Sequence, residues 1–359
     1  MDNRLLRYNI FRTLLVAAIY IAASLPVAAQ DSTHVITVRD ITPGKNFLEG
    51  LEGKFTFAPH YSAEMGLGAA FAYTTNAGVS IIGNASTEGY ALLGINGAHQ
   101  VMRRKWELSY DAIYSFLPTY YWGAGYVEAS YDGNKRGYDR KKLHIGASLM
   151  RIVTRELRIG PVLGYEYIGW CNFQYGEDLI SKAFRYGAAA SYDSRDNTAN
   201  PSGGIYFHIM QSHFTDFSRK PHFSTVFTFD WYRKVWEGGI LAFDVHSQFS
   251  YGEVPYSMLP TIGGPYRMRG YYSGRYRDNC AVSGQLELRQ HVWRMFGIAV
   301  WAGAANVWGR YDNLSIRHSL PNCGAGLRWR LNPGMSLRFD YGFGKNGQNG
   351  FIFGVNEAF

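Results

Sequence analysis

Cysteine is scarce in this chain of 359 residues, which carries three, Cys171, Cys280 and Cys323. Their odd number and wide spacing exclude a disulfide framework, although Cys280 and Cys323 each stand near the start of an expected strand at one rim, a placement compatible with a bridge. Charge is also sparse, at 18% of residues, and the formal excess of +8 is scattered along the chain. With no RNA- or DNA-binding motif beside it, that excess does not point to nucleic acid. Beyond residue 29 no apolar run reaches the ~18 residues that a spanning helix requires; the longest, Met295 to Trp308, is shorter and contains Asn306. The Gly-x-Ser-x-Gly elbow, His-Glu-x-x-His, Cys-x-x-Cys and a phosphate-cradling loop before a helix are all missing. These absences leave no catalytic residue, metal ligand or cofactor site to nominate, and the chain reads as non-enzymatic. Asp244 and His246, two apart on one strand face, have no nucleophile to serve and read as structural.

Glycine and aromatic residues, by contrast, are abundant: 41 Gly, 27 Tyr, 22 Phe and 9 Trp. Gly breaks helices, and Tyr and Trp suit the girdles that a membrane barrel carries at its two water interfaces. Residues 1–29 read as an export signal, with Arg4, Arg7 and Arg12, an apolar run from Leu14 to Ala23, and the small residues Val27, Ala28 and Ala29 at the cleavage site. A short polar periplasmic leader follows over 30–53. From 54 to 359 the chain divides into sixteen segments of alternating polarity, among them 104–114, 141–153 and 350–359. On 335–343, Leu337, Phe339, Tyr341 and Phe343 face one way and Ser336, Arg338, Asp340 and Gly342 the other; on 281–289, Val282, Leu286 and Leu288 oppose Gln285, Glu287 and Arg289. A period of two with a large apolar face and a charged face predicts an all-β fold, a 16-stranded antiparallel transmembrane β-barrel set in outer-membrane lipid. Even-to-odd connections are mostly short and several odd-to-even ones long, as when periplasmic turns alternate with external loops, with Ser194 to Gly203 longer than such a turn needs and the early odd-to-even connections short.

The longest connection holds the densest chemistry. Over Thr261 to Asn279, Arg267, Arg269, Arg275 and Arg277 are interleaved with Tyr266, Tyr271, Tyr272 and Tyr276, and five glycines and prolines forbid a regular element. Arginine forks and aromatic faces both seek partners, so order is expected. The run Arg267-Met268-Arg269-Gly270-Tyr271, followed by Arg277-Asp278-Asn279 and by Glu287-Leu288-Arg289, resembles the loop signature of the BamA/TamA-type outer-membrane assembly and translocation superfamily. The resemblance implies an external loop folded into the lumen, with Arg269 paired to an acid of the wall, Glu287. The family's second acid belongs to an aromatic-x-Asp-x-Gly-x-Val-Trp pattern. Here Trp301 to Trp308 places Gly303 where Asp is expected, which leaves Glu287 as the sole expected partner.

Two further stretches carry the resemblance. Asp193, Arg195 and Asp196 with Pro201 and Gly203 look like a recurrent strand-to-turn motif at the periplasmic rim, where Pro and Gly fix the turn and Asp and Arg pair. The last segment ends on Phe359, similar to the C-terminal signal read by barrel assembly machinery. The family's periplasmic repeats have no room in the leader. The resemblance therefore implies a barrel that assists insertion or translocation of polypeptides, with unfolded outer-membrane proteins as substrates and a separate periplasmic or lipoprotein partner. A passive or gated pore plugged by the Arg269 loop, and a structural or lipid-organising barrel, are the alternatives.

Overall fold

The computed structural model describes residues 53–62, 64–172, 179–216, 221–310, 314–332 and 335–359. The export signal and leader expected over 1–53 lie outside these residues except for Gly53, which opens the first strand. Polarity alternating with a period of two makes each segment a strand with one greasy and one polar face. The segments are β1 Gly53–Ser62, β2 Gly66–Thr75, β3 Val79–Ser86, β4 Ala91–Val101, β5 Trp106–Tyr121, β6 Arg136–Ile152, β7 Leu157–Cys171, β8 Leu179–Asp193, β9 Gly204–Thr215, β10 His222–Trp236 and β11 Gly239–Gly252. After a long connection come β14 Cys280–Trp293, β15 Phe296–Trp308, β16 Leu320–Asn332, β17 Met335–Gly344 and β18 Asn349–Val355. Within that connection two short strands, β12 Thr261–Ile262 and β13 Tyr276–Arg277, pair only with each other.

Each barrel strand is antiparallel to its neighbour, and β18 returns to β1, so sixteen strands close one barrel. Closure removes the open edges that lipid cannot satisfy. The seam is thin among the described residues: β1 pairs with β2 along its whole length, but with β18 the register is given by one pair, Tyr61 opposite Phe353. The wall alternates as its sequence does. On β14, Ser283, Gln285, Glu287 and Arg289 are buried while Leu286 is exposed, and on β17 Tyr341 and Phe343 are exposed while Arg338 and Asp340 are buried. Leu337, expected on the lipid face, is covered between its cross-strand neighbours Trp329 and Val355.

Two differences from the expected segments concern the ends of strands. β5 and β6 run on to Tyr121 and back to Arg136, well past residues 114 and 141, because Leu117, Thr119 and Tyr138 continue the buried face. Their connection holds the short helix α1, Gly125–Ser130. At the other end, β18 stops at Val355, four residues before Phe359. Asn356 adopts φ 64° and exchanges hydrogen bonds with Ser336, its N–H donating to the carbonyl at 2.6 Å and its Oδ1 accepting from the N–H at 3.3 Å. The chain turns inward, so Phe359 is buried against Tyr232 and Ala242. The bridge between Cys280 and Cys323 is also not made: all three cysteines are free, Cys280 buried and Cys323 exposed.

Leu163 lies in the middle of β7 and is 59% exposed. Leu163→Arg is expected to cost ~2–4 kcal/mol, the value for a cation at the lipid midplane of a barrel. Unfolding in phospholipid bilayers measures this; an unchanged stability would place that face away from lipid.

Candidate functional site

The Arg269 loop runs from Glu253 to Asn279 between β11 and β14. Its tip meets the wall backbone to backbone. Gly270 has φ 104°, and a Cβ there would stand 2.6 Å from the carbonyl carbon of Gly342 on β17; one on Gly342 would stand 2.2 Å from the Arg269 oxygen. Only glycine on both sides allows that approach. It delivers Arg269 to two carboxylates. Nη1 donates to Asp340 Oδ2 on β17 at 2.6 Å, and Nη2 donates to Glu287 Oε2 on β14. The guanidinium carbon lies 3.6 Å from the centre of the Trp301 ring, and Asn322 Nδ2 donates to the Arg269 carbonyl. The side chain is 0% exposed. A buried guanidinium persists only with such compensation, and removing one member of a buried pair typically costs ~3–5 kcal/mol.

The rest of the loop is held in the same way. Arg267 Nε donates to Asp244 on β11 at 2.8 Å, and Gln285 Nε2 donates to the same carboxylate and to the Tyr266 carbonyl, each at 3.3 Å. Tyr271 donates its hydroxyl to the Pro321 carbonyl at 2.6 Å and accepts the Lys345 N–H at 2.7 Å. Arg275 donates to the Ala129 carbonyl at 2.9 Å and pairs with Asp132 at 2.8 Å, while Arg277 donates to the Gly274 carbonyl at 2.7 and 2.9 Å. All four arginines of the loop are thus engaged.

Glu287 and Asp340 are shared. Glu287 also accepts from Arg289 Nε at 2.7 Å, and Asp340 from Arg328 Nη1 at 2.6 Å and Arg338 Nη1 at 3.3 Å. Arg328 Nε donates onward to Glu357 at 2.6 Å, and Arg289 to the oxygen of Phe359 at 2.9 Å. Four guanidinium groups (Arg269, Arg289, Arg328, Arg338) therefore surround three carboxylates (Glu287, Asp340, Glu357). Arg338 reaches the Pro265 carbonyl of the loop at 3.0 Å.

Of the residues singled out in the sequence, Arg267, Arg269, Gly270, Tyr271 and Glu287 come together, with Arg267 bound to Asp244 rather than to Glu287. The expectation of Glu287 as sole partner is corrected by Asp340. At Gly303 a side chain has no room, since a Cβ would lie 2.6 Å from the Gly284 oxygen and 2.9 Å from Gln285 Cβ. The second acid comes instead from β17, where the inward parity of Asp340 was the available signal. Asn322, Trp301 and Gly342 carried no comparable mark. His246 hydrogen-bonds Thr228 at 2.9 Å.

The rim motif forms its own cluster. Arg195 binds Asp193 through two hydrogen bonds, of 2.9 and 2.8 Å, and lies 4.5 Å from the Tyr206 ring. Burial pushes the Asp196 carboxyl up, but the Ser202 hydroxyl and N–H and the Gly203 N–H together outweigh it and hold the carboxyl below the ordinary carboxylate range. The Asp196 N–H donates to the Gly203 carbonyl at 3.1 Å, and the Pro201 carbonyl accepts from Arg289 at 3.4 Å. Phe359 reaches Arg289 too, so the rim turn and the chain end share this arginine of the Arg269 cluster, and Glu357 adds Arg328 as a second link from the chain end.

A closed barrel with a thin first-to-last seam and an arginine loop bonded to its concealed face defines a class, the transmembrane barrels of the outer membrane. The model of the Omp85 superfamily domain matches residues 73–359, and the chain belongs to that superfamily. Among solved structures it is similar in fold to BamA from Haemophilus ducreyi lacking POTRA domains 1-3, with 16% identity, TM-score 0.65, and coverage of 85% of this chain and 70% of that one. CdiB from Acinetobacter baumannii gives 13% identity, TM-score 0.58, and coverage of 84% and 59%. CdiB from Escherichia coli gives 12%, 0.56, and coverage of 84% and 62%, so the chain spans less than two thirds of either CdiB. A search of curated protein sequences finds no match.

Two outcomes test this geometry. Gly342→Val removes the space occupied by the Arg269 carbonyl, and trypsin cleavage within 261–279 is expected to accelerate by about tenfold or more, the equivalent of ~1.4 kcal/mol; an unchanged rate would deny the contact. Glu64, in the β1–β2 turn, accepts a hydrogen bond from the Ser273 N–H of the loop, and burial raises its carboxyl from 4.5 to about 7 against the opposing Ser273 bond and Arg140 charge. A raised carboxyl stabilises fully below its unfolded value and loses that contribution as pH rises through its folded one. Exchange of the Ser273 amide, corrected for intrinsic rate, should therefore accelerate between about pH 5 and pH 8, and Glu64→Gln should remove the trend.

Proposed function

We propose that this barrel assists the insertion or translocation of polypeptides at the outer membrane, with the Arg269 loop as a plug inside the lumen and the β1–β18 seam as the gate. The observation that carries the reading is the contrast at the seam. β17 and β18 pair over seven residues from Leu337 opposite Val355 to Phe343 opposite Asn349, whereas among the described residues β18 and β1 share the register of Tyr61 and Phe353. A seam with few hydrogen bonds is where a closed barrel parts at least cost, and a parted edge offers main-chain groups to an incoming strand. Membership of the Omp85 superfamily and the fold likeness to BamA and CdiB support the reading. The plug holds the shape of the wall by binding β11, β14 and β17 while the seam remains the weak line. Outer-membrane lipid is the surrounding medium, and substrate delivery falls to a separate periplasmic or lipoprotein partner.

A second reading, a gated pore whose stopper is the loop, is favoured by one observation: beside the apolar packing of Ile262, Met268, Tyr271 and Tyr276, the loop tip is fastened by the ion pairs of Arg267 and Arg269 with wall carboxylates, so a change of charge can loosen it. Planar-bilayer conductance separates the two, since the pore reading requires deletion of 261–277 to raise conductance without any assembly defect in cells.

With the native cysteines replaced, Tyr61→Cys with Phe353→Cys staples the seam across facing residues, a separation that a disulfide can span. The insertase reading expects loss of outer-membrane protein assembly in cells that depend on this chain, restored by reductant. Full assembly with the staple formed would exclude the seam as gate.

A further inference from the structure

A cavity of about 350 Å³ lies beside the loop, on the rim that carries the β1–β2 turn, the β5–β6 connection and the β17–β18 turn. By the alternation of short and long connections this rim is the external one. Glu64, Trp122, Lys135, Tyr272, Arg275 and Phe351 line it. The volume falls within the range of small-molecule sites.

Its polar groups are unevenly spent. The Trp122 indole is 3% exposed, and its Nε1–H has no acceptor among the described residues. A buried donor left without a partner costs ~1–3 kcal/mol, so the site gains by supplying an acceptor. The Lys135 ammonium, on an exposed side chain, has no carboxylate partner among the described residues; it lies 3.8 Å from the centre of the Tyr120 ring and 5.8 Å from that of Trp122. Arg275 lies 5.1 Å from the same indole, and its partner Asp132, which also lines the cavity, is 82% exposed. Three donors, two of them cationic, thus converge near Trp122. Elsewhere the wall is different in kind. The Tyr272 hydroxyl is already bound to Thr119, at 3.1 Å, which leaves its ring as apolar surface together with Phe351. Glu64 remains as the one carboxyl on the seam side.

A bare inorganic anion would satisfy the donors and leave the aromatic wall uncovered. A purely apolar ligand would leave Trp122 and Lys135 unmet. A body with an apolar ring face, hydroxyls at its edge and one anionic group meets all three demands, and a sugar ring bearing a carboxylate or phosphate has that construction: its C–H face suits Tyr272 and Phe351, its anion suits Lys135, Arg275 and Trp122, and a hydroxyl reaches Glu64. We propose that the cavity between the Arg269 loop and the seam binds an acidic sugar, with Trp122, Lys135 and Arg275 as the anion donors. Because Tyr272 and Arg275 belong to the loop and Phe351 to β18, the occupied site ties the loop to the last strand.

The test is isothermal titration of the purified full chain in detergent with glucuronate, glucose 6-phosphate, glucose, acetate and inorganic phosphate. Glucuronate or glucose 6-phosphate is expected to bind, with glucose, acetate and inorganic phosphate each about tenfold weaker or more, the worth of one charged hydrogen bond or of one apolar ring face. Lys135→Ala, at an exposed position that does not endanger folding, and Trp122→Phe, which keeps the ring and removes the N–H, are each expected to weaken the acidic sugar by about tenfold. Oligogalacturonate in a parallel titration separates a surface glycan from a free sugar acid: tighter binding of the oligomer assigns the chain, and equal binding assigns the monomer. Absence of binding by both acidic sugars, acetate or inorganic phosphate binding as tightly as they do, or an affinity unchanged in both variants would overturn the proposal. None of these readouts depends on polypeptide assembly, so the site stands or falls separately from the insertase reading.

Discussion

A fully buried guanidinium is the constraint around which this barrel is arranged. Moving such a charge out of water is prohibitive unless its surroundings replace the hydration. Arg269 finds that replacement in Glu287, Asp340 and the face of Trp301. The three lie on three strands, β14, β17 and β15, so the cation fixes the loop against the wall and the strands to one another at the same point. The Gly270 and Gly342 contact is the steric condition for this arrangement. The bare backbones of loop and strand allow the side chain to reach both acids at once.

The same two carboxylates bind arginines that face the other mouth. Arg289 and Arg328 carry the network from Glu287 and Asp340 to Glu357, the Phe359 oxygen and the Pro201 carbonyl. Chain end and rim turn therefore meet the loop through shared charge. In a low-dielectric interior such a network is strong while every member is present, and costly once one is lost. This places the rigid part of the molecule along β11, β14, β16 and β17, and leaves the β1–β18 line as the weakly paired side of the cylinder.

Much of this arrangement can be read from residue spacing. Strand count and closure follow from the period of two, which survives in segments such as 281–289 because each wall residue answers to either lipid or lumen. Arg269, Gly270 and Glu287 stand out because an arginine-dense loop needs acids, and the parity of β14 turns Glu287 inward. Asp340 also has inward parity, but nothing local distinguishes it from the other polar wall residues; its selection depends on which strand the loop tip touches, a long-range fact. The packing of Gln285 against Gly303 is of the same kind, since the empty position is filled by a neighbour on another strand. The inward turn after Val355 was hidden because aromatic alternation continues through Phe353, and only Asn356 and Glu357 interrupt it. The full length of β5 and β6 is not legible locally, because the aromatic residues near their ends look like loop until both strands are seen to pair.

The claim that a shared buried ion pair holds the loop is tested most directly by a double-mutant cycle on Arg269 and Glu287. Arg269→Gln, Glu287→Gln and the double variant would be unfolded by urea in phospholipid bilayers. A coupling of about 2 kcal/mol or more is expected, with each single variant losing more than the pair itself is worth because a charge is left buried alone. Additivity of the two substitutions to within ~0.5 kcal/mol would contradict the account, since groups that do not interact add in that way.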